Sequence, residues 1–227
     1  MTVIKRIMNY FGYDIRRVFR EPQRAHAVRT TKSDFRTYFE KTEGLISLEE
    51  AGLLYTMARE LGEGCVVEVG SFRGRSAVAL GRGSIDGNKV PVYAIEPHEV
   101  FTGVYGATFG PEDRAAFYRA MLDTGCYEVV RLINTSSEIV STNWSRQIGL
   151  LWIDGDHSYQ GVKRDFECWE PHLTPGARVA FDDSTDPAVG PRQLINELVE
   201  KGEWQEQQLV GKVTVISRTD TRRLAQL

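Results

Sequence analysis

Three aspartates and a histidine carry the densest chemistry in this sequence. Asp154 ends the apolar run Ile148–Ile153, and Asp182 with Asp183 ends the run Ala177–Phe181. If both runs are parallel strands, the three acids gather outside the carboxyl ends of one sheet, where open α/β sheets bind ligands. Three carboxylates in one cleft repel each other unless a cation or raised pKa values relieve them. Oxygen-only ligation selects a hard ion, Mg2+ first, with Ca2+ or Mn2+ as substitutes. Asp154, Asp182 and Asp183 are the expected ligands. Successive strand residues point to opposite faces, so Asp182 and Asp183 act together only where the chain has left the strand. The Ser184, Thr185, Asp186 and Pro187 that follow allow this. The bland alternative for these acids is helix capping or a solvated turn. His157, three residues past Asp154, is the expected general base and forms a catalytic pair with it. Its unperturbed pKa of about 6.5 suits proton acceptance, and Asp154 or Asp156 is placed to orient the ring.

A second constellation is the segment EVGSFRGRS, residues 68–76. A dinucleotide site wants G-x-G-x-x-G, whose middle glycine lets the backbone approach a pyrophosphate. Here Phe72 stands in the middle position, and Glu68 precedes Gly70 where a phosphate would be repelled. The turn suits a nucleoside with a cationic, phosphate-free tail. S-adenosylmethionine is such a molecule: its amino group can meet Glu68, and the backbone and hydroxyls of Gly70, Ser71 and Ser76 its carboxylate. Glu96, at the tip of the next apolar run, is placed to accept both ribose hydroxyls, as acids there do in nucleotide-binding sheets. A plain strand-to-helix turn is the alternative for Glu68 and Gly70.

These groups must be positioned by strands that alternate with helices. Residues 47–61 predict a helix, opened by Ser47 and Glu50 in capping-box spacing and carrying Leu53, Leu54, Met57, Ala58 and Leu61 at helical spacing. Strands are expected at 65–69, 90–95, 128–133, 148–153 and 177–181. Further helices are expected from Ser76, over 112–122, over 159–169 and over 193–200. Residues 205–210 and 212–217 read as a strand pair joined tightly at Gly211. A turn that short connects only antiparallel strands, whereas the alternation before it implies a parallel sheet covered on both faces. The expected fold class is α/β: a doubly wound, Rossmann-like mixed sheet of seven strands with an antiparallel C-terminal hairpin. Residues 98–125 form a variable segment of loop and helix, in which Tyr105 and Phe109 shape an acceptor pocket or lid.

The 227 residues suit one large domain or one domain with an appendage. Residues 1–41 hold ten Lys and Arg against four acids, a net +6, which leaves −9 on the remainder. The expected division is a basic helical arm, 1–43, and a domain, 44–227. An acidic body disfavours a nucleic-acid binder, whose working face is basic. The arm reads as a lid or subunit contact within a homodimer. No apolar run reaches the roughly 18 residues of a membrane span, so no stable membrane insertion is expected, and the N-terminus lacks the features of a secretory signal. Cys65, Cys126 and Cys168 are odd in number and far apart, which favours a cytoplasmic, reducing setting over a disulfide framework or a zinc site. His98 is read as bordering substrate or cofactor, and His26 and His172 as surface residues.

Beyond these readings, the segment WIDGDHSYQGVKRD, residues 152–165, resembles the "IDGDHSYEGVxxD" segment of class I S-adenosylmethionine-dependent methyltransferases. The match is to the metal-dependent small-molecule O-methyltransferases, including macrocin-type sugar O-methyltransferases. LTPGA at 173–177 and FDD at 181–183 follow as they do in that group. The resemblance covers roughly residues 44 to 217, and the arm and the 98–125 segment lie outside its well-marked motifs. It implies the same acidic trio around a metal, adenine contacts from Ser136 and Ser137 (an ST-turn being the alternative), and a segment at Gly44 and Leu45 folding over the methionine end of the cofactor. Asp154 and Asp156 complete the cofactor-binding set. The implied activity is Mg2+-dependent methylation of a hydroxyl on a small molecule, with a sugar or glycosylated metabolite favoured because few aromatic residues besides Trp152 and Tyr159 lie near the metal motif. Two other classes stand beside it: an NAD(P)-dependent oxidoreductase, against which the missing middle glycine speaks, and a non-catalytic partner protein that keeps the fold.

Overall fold

The computed structural model describes residues 35–219; the remainder of the arm and His26 lie outside them. The element order is α1 (Phe35–Phe39), α2 (Leu48–Glu60), β1 (Cys65–Val69), α3 (Arg75–Asp86), β2 (Val92–Ile95), β3 (Phe101–Thr102), β4 (Thr108–Phe109), α4 (Pro111–Thr124), β5 (Val130–Ile133), α5 (Ser137–Ser141), β6 (Ile148–Ile153), α6 (Tyr159–Trp169), β7 (Leu173–Phe181), α7 (Gly190–Glu200), β8 (Trp204–Val210) and β9 (Val213–Arg218).

The seven-stranded sheet has the order β5-β2-β1-β6-β7-β9-β8. Its first five strands are parallel, and β9 runs antiparallel between β7 and β8. From β1 the chain first builds outward through β2 to β5, then returns to place β6 on the other side of β1. The crevice at such a reversal is where doubly wound sheets bind ligands. The last ladder rungs bring the site residues to one level. Gly70 N donates to Ile95 O at 3.0 Å, Asp154 N to Val69 O at 2.8 Å, Asp182 N to Ile153 O at 3.0 Å and Glu96 N to Ile133 O at 3.2 Å.

Every residue of β1 and β6 is buried, as a strand covered on both faces requires. One face packs Leu54, Met57, Leu80, Phe117 and Trp152. The other packs Phe166, Trp169, Phe181, Ile195 and Trp204. Each such side chain contributes roughly 1.5–3 kcal/mol by leaving water. The capping box of α2 forms as expected, with Ser47 and Glu50 each binding the other's amide.

Besides the short helix α5, which the sequence reading lacks, three features differ from that reading. Residues 101–109, read as loop, contain a separate two-stranded antiparallel hairpin, whose two-residue strands are too short to show periodicity. The fifth parallel strand starts at Leu173 rather than Ala177 and takes in Pro175 and Gly176. The compact body starts at Phe35: Phe35 stacks on Tyr55 with ring centroids 4.6 Å apart, and Phe39 is fully buried in the core. Residues 35–43, read as the end of the arm, thus pack with the domain. Among the described residues no helix is long and apolar enough to cross a membrane.

Candidate active site

The turn after β1 is shaped by what it must pass. Gly70 has φ +82°, and a Cβ there would stand 2.2 Å from the Asp154 carbonyl oxygen. Only glycine lets β1 leave the sheet this close to the end of β6. Phe72 also adopts a left-handed backbone, at φ 45°. Its ring meets Phe109 edge-to-face at 5.1 Å, so the ring in place of a middle glycine becomes a wall shared with the hairpin. Glu96 ties this turn down: Oε2 accepts from Ser71 N at 3.0 Å and Phe72 N at 3.1 Å, and Oε1 from His98 N at 2.9 Å. An ionised carboxylate has about four acceptor positions, so Glu96 keeps capacity for a ligand hydroxyl.

His98 does not line the cleft. It is buried beneath the turn, with Nε2 2.8 Å from Phe72 O and Nδ1 3.3 Å from Asn134 Nδ2. It braces the strained Phe72 peptide. Glu68 is also displaced from its expected role. It is fully buried, lies behind the wall rather than in it, and accepts from Ser71 Oγ at 2.9 Å. Its other oxygen has no partner. Burial pushes this carboxyl up to about 7, the Glu96 charge adds to the rise, and hydrogen bonds from Ser76 and Ser71 oppose it.

The remaining sequence-predicted residues converge on one cleft of about 490 Å3. Gly44, Leu45, Gly70, Ser71, Ser76, Glu96, Ser136, Ser137, Asp154, Asp156, His157, Asp182 and Asp183 all line it, in the size range of small-molecule sites. Several already have internal duties. Ser137 Oγ accepts the indole N–H of Trp169 at 3.1 Å, and Asp156 Oδ1 accepts from Ser158 N at 2.9 Å at the start of α6. Arg75 Nη1 holds the Gly44 carbonyl at 2.8 Å while its guanidinium lies 4.1 Å from the centre of the Phe39 ring.

At the floor, His157 Nε2 stands 3.4 Å from Asp154 Oδ1 and Nδ1 stands 3.5 Å from Asp183 Oδ2. The carboxylates flanking the ring are therefore Asp154 and Asp183; Asp156, the other expected orienter, is engaged at the helix cap. Asp183 has φ 47°, so the chain has left the strand and both aspartates reach the cleft, as the shared-ligand reading requires. Burial pushes Asp154 up to about 8, assisted by the charges of Glu68 and Asp183 and opposed by Asp182 and Lys212. Burial likewise pushes Asp182 up to about 8, with the Asp154 charge adding and Lys212 opposing.

Ligand atoms of Asp154, His157 and Asp182 all lie within 4.8 Å of one another. Asp182 Oδ1 and His157 Nε2 are buried without hydrogen-bond partners. This set of two carboxylates and one imidazole suits a divalent ion but selects Mg2+ less sharply than the oxygen-only trio expected from the sequence, since His157 stands where Asp183 was expected. The Asp183 carboxylate instead faces Lys212 Nζ at 2.8 Å.

Lys212 went unread in the sequence because it falls within a strand pair. The signal was present all the same. An antiparallel β9 beside β7 pairs Phe181 with Thr214, and this carries the preceding turn to the carboxyl edge. Tyr105 was read as lining a pocket or lid, and it does line the cleft; its partner went unread. Its hydroxyl donates to Asp186 Oδ2 at 2.8 Å, joining the hairpin to the loop after β7.

A family model described as a methyltransferase domain matches residues 67–184. An uncharacterized protein, R132 of Acanthamoeba polyphaga mimivirus, is 37% identical over 54 residues, 23% of this chain and 24% of that protein; the match thus spans about a quarter of that relative. Among solved structures, the O-methyltransferase from Bacillus cereus in complex with SAH aligns with a TM-score of 0.62 at 14% identity, covering 85% of this chain and 94% of that one. The SAH-bound methyltransferase PaMTH1 of Podospora anserina aligns at 0.61 and 19%, covering 82% and 88%. TomG of Streptomyces achromogenes, an O-methyltransferase of tomaymycin synthesis in complex with SAM, aligns at 0.59 and 17%, covering 82% and 86%. Identities this low speak for the fold. The matched segment runs from within β1 to just past β7 and takes in more than half of the sequence, so the chain belongs to the methyltransferase-domain family and shares the fold of these methyltransferases.

Proposed function

We propose that this chain transfers the methyl group of S-adenosylmethionine to a hydroxyl of a small molecule, with Mg2+ as the assisting ion. The observation that carries the reading is the convergence, on one cleft, of the Gly70 turn, Glu96 and the Asp154–His157–Asp182 cluster. The methyl donor would lie along Gly44, Leu45, Gly70, Ser71, Glu96, Ser136 and Ser137, and supplies an electrophilic carbon on a sulfonium. A divalent ion, held by Asp154, His157 and Asp182, would make a hydroxyl near it more acidic.

The protein's own part is positioning and proton transfer. The acceptor oxygen gives its proton to His157 as its bond to the methyl carbon forms and the carbon–sulfur bond breaks. Asp154 and Asp183 flank the two ring nitrogens, and the Asp183 carboxylate stabilises the imidazolium. When His157 serves as a ligand, its lone-pair nitrogen is engaged, and the proton passes to the Asp183 carboxylate instead.

The acidic floor suits vicinal hydroxyls, as on a sugar. Elsewhere the lining is apolar, with Leu45, Phe72, Phe101, Val104, Tyr105 and Phe109. A glycosylated metabolite with an apolar portion fits both. A cytoplasmic homodimer completes the proposal, supported by three free cysteines and by the basic arm. Against the oxidoreductase reading stand Phe72 in the turn and the family assignment.

Calorimetric titration with S-adenosylmethionine and S-adenosylhomocysteine, with and without Mg2+, tests the core of this reading. Micromolar binding of both is the expected result, and no binding in any condition rejects it. A non-catalytic partner protein would bind the donor yet methylate nothing across a panel of hydroxylated glycosides.

A further inference from the structure

The acidic cluster carries its own cation. Lys212 Nζ stands 2.6 Å from Asp182 Oδ2 and 2.8 Å from Asp183 Oδ1, and the lysine lines the same cleft as Asp154 and His157. Its backbone is fixed from both sides. Lys212 N donates to Glu50 Oε1 at 3.0 Å, and its carbonyl accepts from Ser184 N at 2.9 Å and Ser184 Oγ at 2.8 Å. Gly211 before it has φ +56°, and a Cβ there would come within 2.4 Å of Glu50 Oε1. The turn is thus built to deliver the ammonium to the two aspartates. Asp182 is shared: Oδ2 is committed to the lysine, while Oδ1 is buried with no partner and belongs to the ligand set with Asp154 and His157.

We propose that Lys212 is a tethered competitor of the divalent ion, so that the ammonium and the ion contend for Asp182 and the lysine sets the cation affinity of the site. An oxygen engaged by an ammonium is a poorer ligand, and a unit positive charge a few ångströms from a dication repels it strongly in a half-buried setting. With the lysine in place the site holds its carboxylates together without metal. Metal entry then requires the side chain to move or to share Asp182. The inference rests on the cation-binding part of the proposed function.

The test is Mn2+ titration of the full chain, followed by electron paramagnetic resonance without methyl donor, on wild type, Lys212→Met and Lys212→Arg. Lys212→Met is expected to bind Mn2+ at least tenfold more tightly than wild type, and Lys212→Arg no more tightly than wild type. Equal or weaker binding by Lys212→Met overturns the proposal, as does an absence of Mn2+ binding in all three. Lys212→Gln gives the same comparison if the methionine variant does not fold. Titrating S-adenosylmethionine into the same samples in chelator separates the two readings. Donor binding intact with the Mn2+ result failing rejects only the lysine's role, whereas no donor binding by wild type rejects the methyl-transfer reading.

Discussion

Glu50 binds the amide of Lys212 across 162 residues of sequence, at 3.0 Å through Oε1, while its Oε2 accepts the amide of Ser47 at 2.7 Å. One buried carboxylate thus joins the N-terminus of α2, just after the Gly44–Ile46 wall, to the turn that presents the lysine. Glu50→Ala removes half of a capping box, worth about 0.5–2 kcal/mol, and strands the Lys212 amide, worth a further 1–3 kcal/mol. The expected loss is about 1.5–5 kcal/mol in urea denaturation at pH 7. An unchanged midpoint would show that neither bond matters.

His157→Ala should lower the methylation rate at pH 7 by about 10²–10⁴, the usual worth of a positioned proton acceptor. Its ring faces Asp154 and Asp183 rather than Glu96 or Ser136, so donor affinity should stay within about twofold. Single-turnover kinetics with the donor in excess reads the first quantity and calorimetry the second. Wild-type rates would remove His157 from the chemistry.

Asp154 and Asp182 each sit at about 8 in the folded chain against a usual 3.8. The folded state therefore holds more protons than the unfolded one between these values. The stability these carboxyls contribute is full below about pH 4 and is lost as pH rises through about 8. Asp182→Asn removes one of them, so in chelator its melting temperature should gain on wild type steadily from pH 5 to pH 9. Circular dichroism melts at pH 5, 7 and 9 measure this. A gap that does not change with pH would contradict a raised Asp182.

Tyr105→Phe breaks the hydroxyl contact with Asp186 at an exposed position, so stability should change by less than about 0.5 kcal/mol. If the contact holds the hairpin over the acceptor, KM for the acceptor should rise about two- to tenfold, the equivalent of one net hydrogen bond. Donor affinity should be unaffected. Steady-state kinetics with the acceptor varied gives the answer, and an unchanged KM would leave the contact without a role in acceptor binding.

Strand and helix order was legible because the buried strands read as unbroken apolar runs and because Ser47 and Glu50 announce a helix start. The level at which Asp154 and Asp182 sit followed from their place directly after such runs. Glu68 and His98 were misplaced for a common reason. Each is one residue type at a plausible address, and whether the side chain faces the cleft or the interior depends on a turn whose left-handed Phe72 and Gly70 the sequence does not reveal. Lys212 was hidden by the opposite problem. Its partners lie 30 and 29 positions earlier, and only the insertion of β9 between β7 and β8 brings them together.

The hairpin of Phe101–Phe109 takes no rung in the seven-stranded sheet, yet it lines the cleft and reaches the loop after β7 through Tyr105. Its composition is therefore free of the constraints that hold the strands in register. Exchanging this short cassette for one of different shape would reshape one wall of the cleft while leaving the sheet in register, and its Phe109 contact with Phe72 is where the turn after β1 would feel the change.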